Sequence, residues 1–179
     1  MPKIPFKIEH QLRSEWCWAA ITSSVSDYYS PKASWCQCKL ASEMVRRTSN
    51  RRQHCCRPLS GGLLKACNQD WFLASALRIV GRGGGRLKFG RLSFQAIRKN
   101  IRAGFPICVR IGWPDGSGHF VVIIGCNQSS NGDEWVYVDD PLHGHGTWLY
   151  QEFCGNYHNA GGRWTVTFPL KGQKLHAAH

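Results

Sequence analysis

The sequence predicts an α+β fold in which a helical half precedes a half built from antiparallel strands. Two observations support this prediction. Apolar residues recur at three- and four-residue spacing in the first part of the chain, whereas short strands separated by turns follow Pro106. The length of 179 residues fits a single domain spanning 1–179. We expect 11–105 to form the helical half with a cysteine-rich loop, 106–170 the sheet half and 171–179 a disordered tail.

The helical half contains four predicted helices, at 16–29, 40–47, 71–80 and 93–103. The first has the clearest pattern, because Cys17, Ile21 and Tyr28 share one helical face and Pro31 ends the helix. Cys17 lies in the first turn, where free N–H groups and the helix dipole favour a thiolate over a thiol. The glycine-rich run at 81–86 lacks the full dinucleotide-binding pattern, so we expect a flexible loop there.

The sheet half contains four predicted strands, at 107–111, 119–126, 135–139 and 164–168. Turn-forming sequences at 114–116 and 131–133 separate three of them, which indicates antiparallel pairing. We expect the two halves to meet along a cleft in which Cys17 faces His119.

Five of the nine cysteines lie between 36 and 67. Three interpretations remain open: disulfides in an oxidising compartment, a zinc site of thiolates that could include His54, and reduced structural thiols. Disulfides are favoured because C-x2-C zinc knuckles are absent, and the adjacent Cys55 and Cys56 should then bond to different partners. Cys108 and Cys126 are expected to be buried core residues or to form a cross-strand disulfide. The sequence leaves the connectivity open among Cys36, Cys38, Cys55, Cys56, Cys67, Cys108, Cys126 and Cys154.

The formal net charge of +12 favours an acidic partner or surface. No nucleic-acid-binding motif is recognisable, so specific nucleic-acid binding is not expected. The longest apolar run, 120–124, is far shorter than the roughly 20 residues that span a membrane, so we expect no membrane insertion. Residues 1–10 lack the apolar segment of a signal peptide. We expect a monomer that is secreted or translocated; its signal was removed, or the domain was cut from a larger chain, or export uses another route.

Four side chains supply the parts of a thiol hydrolase. Gln11 stands six residues before Cys17, and a Gly118-His119 pair and an Asp139-Asp140 pair before Pro141 follow much later. A thiol nucleophile needs an imidazole to take its proton, an acceptor to orient that imidazole and a donor for the oxyanion. A third class of function is a binding module with an inactive site. It is less expected, because such a module has no chemical need for all four groups.

The chain resembles the papain-like cysteine proteases, and most closely the secreted bacterial branch, which includes effector proteases of plant pathogens. The resemblance extends from Gln11 to Phe168, although Ser14-Glu15-Trp16 replaces the glycine and small residues that precede the cysteine in plant enzymes. The matching motifs are Gln11, Trp16 to Ala20, Cys55-Cys56, Gly118 to Ile123 and Asp139 to Pro141.

The resemblance implies a papain-like fold with the active site in the cleft between its two halves. It implies that Cys17 is the nucleophile, that His119 is general base and then acid, and that Gln11 and the Cys17 N–H hold the oxyanion. Asp140 is expected to orient His119, since the family's aspartate precedes the proline and strand alternation turns Asp139 the other way. The residues expected to contact substrate are Trp16, Trp18, Trp113 and Gly118.

These roles imply an endopeptidase that is exported from a bacterium and cleaves proteins through a thioester. The alternative is an amidase, deamidase or transglutaminase-type toxin with the same triad, because a thioester can form from any amide that the cleft admits. No cofactor is expected. His143 and His145 could suggest a metal-ligand pair, but their glycine spacing favours a loop without a metal.

Overall fold

The computed structural model describes residues 3–49, 52–58, 60–173 and 175, and consists of helices packed on one antiparallel sheet. The helices are α1 (Cys17–Tyr29), α2 (Gln37–Ser49), α3 (Gly61–Cys67), α4 (Leu73–Ile79), α5 (Phe94–Arg102) and α6 (Tyr150–Gly155), with a 3-10 turn at Pro31–Ala33. The strands are β1 (Lys88–Phe89), β2 (Ile107–Gly112), β3 (Gly118–Gln128), β4 (Glu134–Asp140), β5 (Gly144–Leu149) and β6 (Arg163–Phe168). The α+β prediction is therefore confirmed. No helix within the described ranges is both long and apolar enough to cross a membrane.

The sheet has the strand order β1-β6-β2-β3-β4-β5, and every neighbouring pair is antiparallel. The β2–β3 hairpin pairs Ile111 with His119 next to its turn. Beyond Ile107, the first residue of β2, the N-terminal segment takes the place of β2 beside β3. There the Ile4 N–H donates to the Ile124 carbonyl over 2.9 Å. The sheet thus places the beginning of β3 and the end of β4 at the same end.

Helix α1 is the centre of the helical half, and it packs against β3, α2 and α4. Its residues from Cys17 to Ser26 are all buried. Polar side chains are tolerated there because Thr22 and Ser24 donate their hydroxyls to the carbonyls one turn earlier, over 2.7 and 2.8 Å. The burial of α1 fixes the position of its first residue, Cys17, relative to the sheet.

Each helix and strand predicted from periodicity is present, with shifted ends. Helix α5 shows the closest agreement, because the hydroxyl of Ser93 caps it by accepting from the Ala96 N–H. The sequence missed α3, α6 and two strands. The loop predicted at His143 to His145 is wrong for His145, which lies in β5 and pairs with Asp139 of β4.

Two other expectations need correction. The two-residue β1 lies inside the predicted helical half yet pairs with β6, since the chain there runs along the free edge of that strand. The predicted disordered tail begins too early, because Lys171 N–H donates to the Arg82 carbonyl and Gln173 N–H to the Leu170 carbonyl. Residues 174 and 176–179 of that predicted tail lie outside the described residues.

Two disulfides, Cys38–Cys56 and Cys55–Cys67, join the cysteine-rich part of the helical half. This confirms the disulfide interpretation and the separate partners of Cys55 and Cys56. It is incompatible with a zinc site built from those four thiolates. The free thiols are Cys17, Cys36, Cys108, Cys126 and Cys154. The alternative of a cross-strand disulfide is wrong for Cys108 and Cys126, which sit opposite valines in the sheet register.

Candidate active site

Cys17 and His119 meet where the first turn of α1 approaches the beginning of β3. Cys17 is the first residue of α1, and His119 is the second residue of β3. The Cys17 thiol interacts with the His119 imidazole closely enough to raise its pKa. The sulfur lies at the N-terminus of a helix, where backbone N–H groups have no intrahelical partner and negative charge is stabilised.

Asp140 holds the other side of the imidazole. It is the last residue of β4, and its Oδ1 lies 2.8 Å from His119 Nε2. Because Nε2 faces Asp140, Nδ1 is left for the Cys17 sulfur. The neighbouring Asp139 points elsewhere, with its Oδ1 2.9 Å from His145 Nδ1. The structure therefore brings Cys17, His119 and Asp140 together and leaves Asp139 outside this group.

The Asp140 carboxylate is buried, and both of its oxygens accept hydrogen bonds. Its Oδ1 also accepts from the N–H groups of Leu142 and His143, over 2.7 and 3.1 Å. Its Oδ2 accepts from the Tyr157 hydroxyl over 2.8 Å. With the side chain 2% exposed, these donors replace the water that an ionised carboxylate would otherwise need. Sequence reasoning missed Tyr157, which belongs to no motif and follows Asp140 in chain order by a whole strand and helix.

The site favours an imidazolium beside a carboxylate. Burial by itself would lower the pKa of His119, but its hydrogen bonds to Asp140 and Cys17 and the charges of both groups raise that pKa to about 9. Burial by itself would raise the pKa of Asp140, but the hydrogen bond and charge of His119, with the Leu142 N–H and the Tyr157 hydroxyl, lower it to about 2. Each group thus stabilises the charged form of the other.

Gln11 lies close to the site with its amide directed at the backbone. Its Nε2 donates to the carbonyls of Arg13 and Ser14 over 3.0 and 2.8 Å. Its Oε1 is buried and has no partner among the described residues. Its main-chain N–H donates to the Pro141 carbonyl over 2.8 Å, which ties the segment before α1 to the residue after Asp140. The structure thus gives the Gln11 amide hydrogens acceptors other than an oxyanion, and its oxyanion role stays a prediction.

A cleft with a volume of about 490 Å³ opens at Cys17 and His119. Of the four residues predicted to contact substrate, Gly118 is exposed at the border of this cleft, and Trp18 also borders it but is fully buried. Trp16 is 1% exposed and donates its indole N–H to the Cys67 carbonyl over 2.8 Å, so it packs beneath the site. Trp113 is half-buried beside Gly162 and lies outside the cleft wall. The lining residues are Ser14, Glu15, Cys17, Trp18, Asp70, Trp71, Phe72, Arg110, Gly116, Ser117, Gly118, His119 and Phe120.

The segment 67–69 supports the residues around Cys17 from behind. The Gln69 carbonyl accepts from the Trp18 indole over 3.0 Å. Asn68 accepts from the Glu15 N–H through Oδ1 and donates to the Ser14 hydroxyl through Nδ2, over 3.2 and 3.0 Å. This segment follows Cys67, whose disulfide to Cys55 fixes its beginning. A disulfide therefore stabilises the backbone that carries the thiol.

Arg110 contributes a cation to the cleft that sequence reasoning did not identify. Its guanidinium lies over Gly118, where a Cβ atom would come within 2.4 Å of Nη2. It reaches the Thr165 hydroxyl at 3.3 Å and the Ser117 carbonyl at 3.4 Å, and no carboxylate among the described residues pairs with it. Gly118 thus leaves room for a charged group beside His119.

Comparison with known proteins agrees with this geometry. A sequence model described as the Peptidase_C39 like family matches residues 3–167. A comparison with curated proteins finds no significant match. Among solved structures, the chain is similar to the peptidase domain of Streptococcus ComA, described as a bi-functional ABC transporter involved in a quorum sensing pathway. The TM-score is 0.51 at 14% identity, over 94% of this chain and 99% of that one, which is a likeness of fold.

The family match spans both halves of the fold and includes the Cys17, His119 and Asp140 group. The chain belongs to the Peptidase_C39 like family and is a papain-like cysteine peptidase.

Proposed function

We propose that the protein is an endopeptidase that cleaves peptide bonds of proteins through a thioester, with Cys17 as the nucleophile. The observation that carries this proposal is that Cys17 and His119 border one cleft and interact there, while His119 Nε2 lies 2.8 Å from Asp140 Oδ1. His119 takes the thiol proton, and the thiolate attacks the substrate carbonyl carbon. The imidazolium then gives that proton to the leaving amine, which releases the first product.

His119 acts a second time on the thioester. It takes a proton from water, and the resulting hydroxide attacks the acyl carbon and expels the Cys17 thiolate. Asp140 keeps its charge throughout, holding the ring with Nδ1 toward sulfur and stabilising each imidazolium. The Cys17 N–H at the free end of α1 is the oxyanion donor that the backbone offers. The Gln11 side-chain amide would be a second oxyanion donor once one of its hydrogen bonds, to the Arg13 or the Ser14 carbonyl, is broken.

The charges of the cleft favour a substrate with side chains of both signs. Glu15 and Asp70 are exposed on the helical side, and Arg110 stands on the sheet side. Trp71 and the 49% exposed Phe72 add an apolar surface to the same cleft. An extended peptide could place an acidic side chain at Arg110 and a basic one at Glu15 or Asp70. Replacing Arg110 with Gln should then raise KM for acidic peptides with little change in kcat.

Product analysis tests the reaction. The protein, its Cys17→Ala variant and a matched Cys36→Ala variant are incubated with a peptide library, and the products are identified by mass spectrometry. New peptide termini with the protein and with Cys36→Ala, but not with Cys17→Ala, support the endopeptidase. A mass change of about one unit without cleavage would instead indicate the deamidase alternative, and no product from any variant would indicate the inactive binding module.

Export to an oxidising compartment is the second part of the proposal, and the two disulfides support it. A bacterial effector of this kind would be made with reduced thiols and would form both bonds after translocation. A non-reducing digest of protein recovered from its natural compartment should contain the linked peptides Cys38–Cys56 and Cys55–Cys67. Free thiols at all four positions would refute export of this kind. The monomeric state and the acidic partner stay predictions.

A further inference from the structure

Two histidines stand beside Asp140 without a part in the proposed mechanism. His143 follows Asp140 through the turn after β4, and His158 comes from the turn after α6. His158 Nε2 lies 4.0 Å from Asp140 Oδ2, and the His143 and His158 ring centroids are 4.4 Å apart. One ligand atom from each of the three groups lies within 4.8 Å of the others.

The fold holds His158 in this position. Its φ of 56° is left-handed, an uncommon conformation for a residue with a Cβ atom. Its ring packs edge-on against Tyr157 and Trp148, with centroid distances of 4.4 and 4.9 Å. The imidazole therefore lies against these two rings and beside the buried carboxylate, with one side still open to solvent.

We propose that Asp140, His143 and His158 form a zinc-binding site that inhibits the peptidase. Imidazole nitrogen and carboxylate oxygen are ligands that zinc prefers, and water could complete a tetrahedron. Ligands at about 2.0–2.1 Å from zinc lie about 3.3 Å apart, so the two rings would have to close by about an ångström. Both imidazoles are on the surface, so small side-chain rotations suffice.

Inhibition follows from the choice of ligand oxygen. His119 binds Oδ1 of Asp140, and the zinc would bind Oδ2. A divalent cation there would offset the negative charge that stabilises the imidazolium, and it would compete with the Tyr157 hydroxyl for the same oxygen. The site itself is independent of the proposed function, whereas the inhibition rests on it.

Binding is measured first, on protein that has no active thiol. The Cys17→Ala chain, freed of metal by a chelator, is titrated with zinc by calorimetry. We expect one zinc per chain, and binding weaker by at least about tenfold after the further substitution His158→Asn or His143→Asn. Asn suits position 158 because it tolerates left-handed backbone. The matched control is His145→Asn, another surface histidine paired with a β4 aspartate, which should bind zinc like its parent.

Equal zinc affinity in the parent, His158→Asn and His143→Asn would overturn the site. So would an equal loss of affinity in His145→Asn, because binding would then be a general property of surface histidines.

Inhibition is measured next, on chains that retain Cys17. Zinc should inhibit peptide cleavage by the protein and by His145→Asn, and His158→Asn should require at least about tenfold more zinc for half inhibition. An unchanged zinc requirement in His158→Asn would place the inhibition at Cys17 and overturn the regulatory part. Absence of cleavage before zinc is added would refute the proposed function, and the calorimetry would still decide the site.

Discussion

The Tyr157 hydroxyl donates to Oδ2 of Asp140 over 2.8 Å, on the side of the carboxylate away from His119. The aspartate is thereby fixed between a phenol and an imidazole. Burial and the charge of Asp140 raise the pKa of Tyr157, so the phenol stays a donor at physiological pH. Asp140 is held in a single orientation because both of its oxygens have donors, and the His119 ring follows that orientation.

Replacing Tyr157 with Phe should lower the free energy of unfolding and shift the pH dependence of kcat/KM. The lost hydrogen bond leaves a buried carboxylate oxygen with fewer donors, which costs about 1–3 kcal/mol in the free energy of unfolding. The same hydrogen bond lowers the pKa of Asp140, so its loss should move the acid limb of kcat/KM to higher pH. The matched control is Tyr150→Phe, which removes another buried hydroxyl, bonded to the Leu92 carbonyl at 2.6 Å. An equal shift of the acid limb in both variants would contradict this role for Tyr157.

Replacing Asp140 with Asn should lower the pKa of His119. The carboxylate stabilises the imidazolium, so without it the pKa should fall from about 9 toward or below the ordinary 6.5, as burial then dominates. Titration of the His119 ring by NMR in both proteins measures this change. A pKa that stays near 9 in Asp140→Asn would show that Asp140 has no part in holding the proton.

The same pair should make stability depend on pH at both ends. The raised pKa of His119 contributes stability that is complete below about 6.5 and is lost as pH rises through about 9. The lowered pKa of Asp140 contributes stability that is present above about 3.8 and is lost as pH falls through about 2. The free energy of unfolding, measured with urea, should be highest between about pH 3.8 and pH 6.5. In Asp140→Asn this free energy should change less with pH on both sides of that range. Parallel curves for the two proteins would refute this linkage.

A thiol-alkylating probe at mildly acidic pH should modify Cys17 at least about tenfold faster than any other cysteine. Cys17 borders the cleft and contacts His119. Burial raises the pKa of Cys108 to about 12 and also raises those of Cys126 and Cys154, so these thiols should react slowly. Mass spectrometry of the labelled peptides gives the separate rates. His119→Ala should remove the advantage of Cys17, and equal rates across the cysteines would contradict the activation of Cys17 by His119.

Removing the Cys55–Cys67 disulfide should reduce activity as well as stability. The double Ser variant at these positions opens a short loop and should lose about 2–4 kcal/mol in the free energy of unfolding. It should also lower kcat, because segment 67–69 holds Trp16 and Trp18 on either side of Cys17. The double Ser variant at Cys38 and Cys56 is the control, since it removes a disulfide that does not end at this segment. Equal loss of kcat in both variants would argue against a specific support.

Local patterns were sufficient for much of the fold. Apolar residues recur with the helical period in α1 and with strand character in β2, β3, β4 and β6. These elements could therefore be predicted from neighbouring residues alone. Strand β5 could not, because Gly144, His145 and Gly146 have no apolar alternation, and its pairing with β4 forms the strand. Helix α6 begins directly after β5 and was missed with it.

The sequence likewise predicted some features of the candidate site and missed others. The order of Gln11, Cys17, His119 and Asp140 was visible in the chain, and strand alternation already separated Asp140 from Asp139. The disulfide partners, the hydrogen bond from Tyr157 and the support from segment 67–69 were not visible, since each joins groups far apart in the sequence. The contacts of the Gln11 amide are local, but they were not visible either, because a motif position does not show where a side chain points.

The sequence by itself determined the fold class and the candidate nucleophile with its candidate partners, because those predictions depend on residue type, order and local periodicity. The tertiary structure decided which groups surround Asp140, which cysteines are bonded and which residues line the cleft. Those properties depend on strand register and on the close approach of α1 to β3, and such distances arise when the two halves pack together.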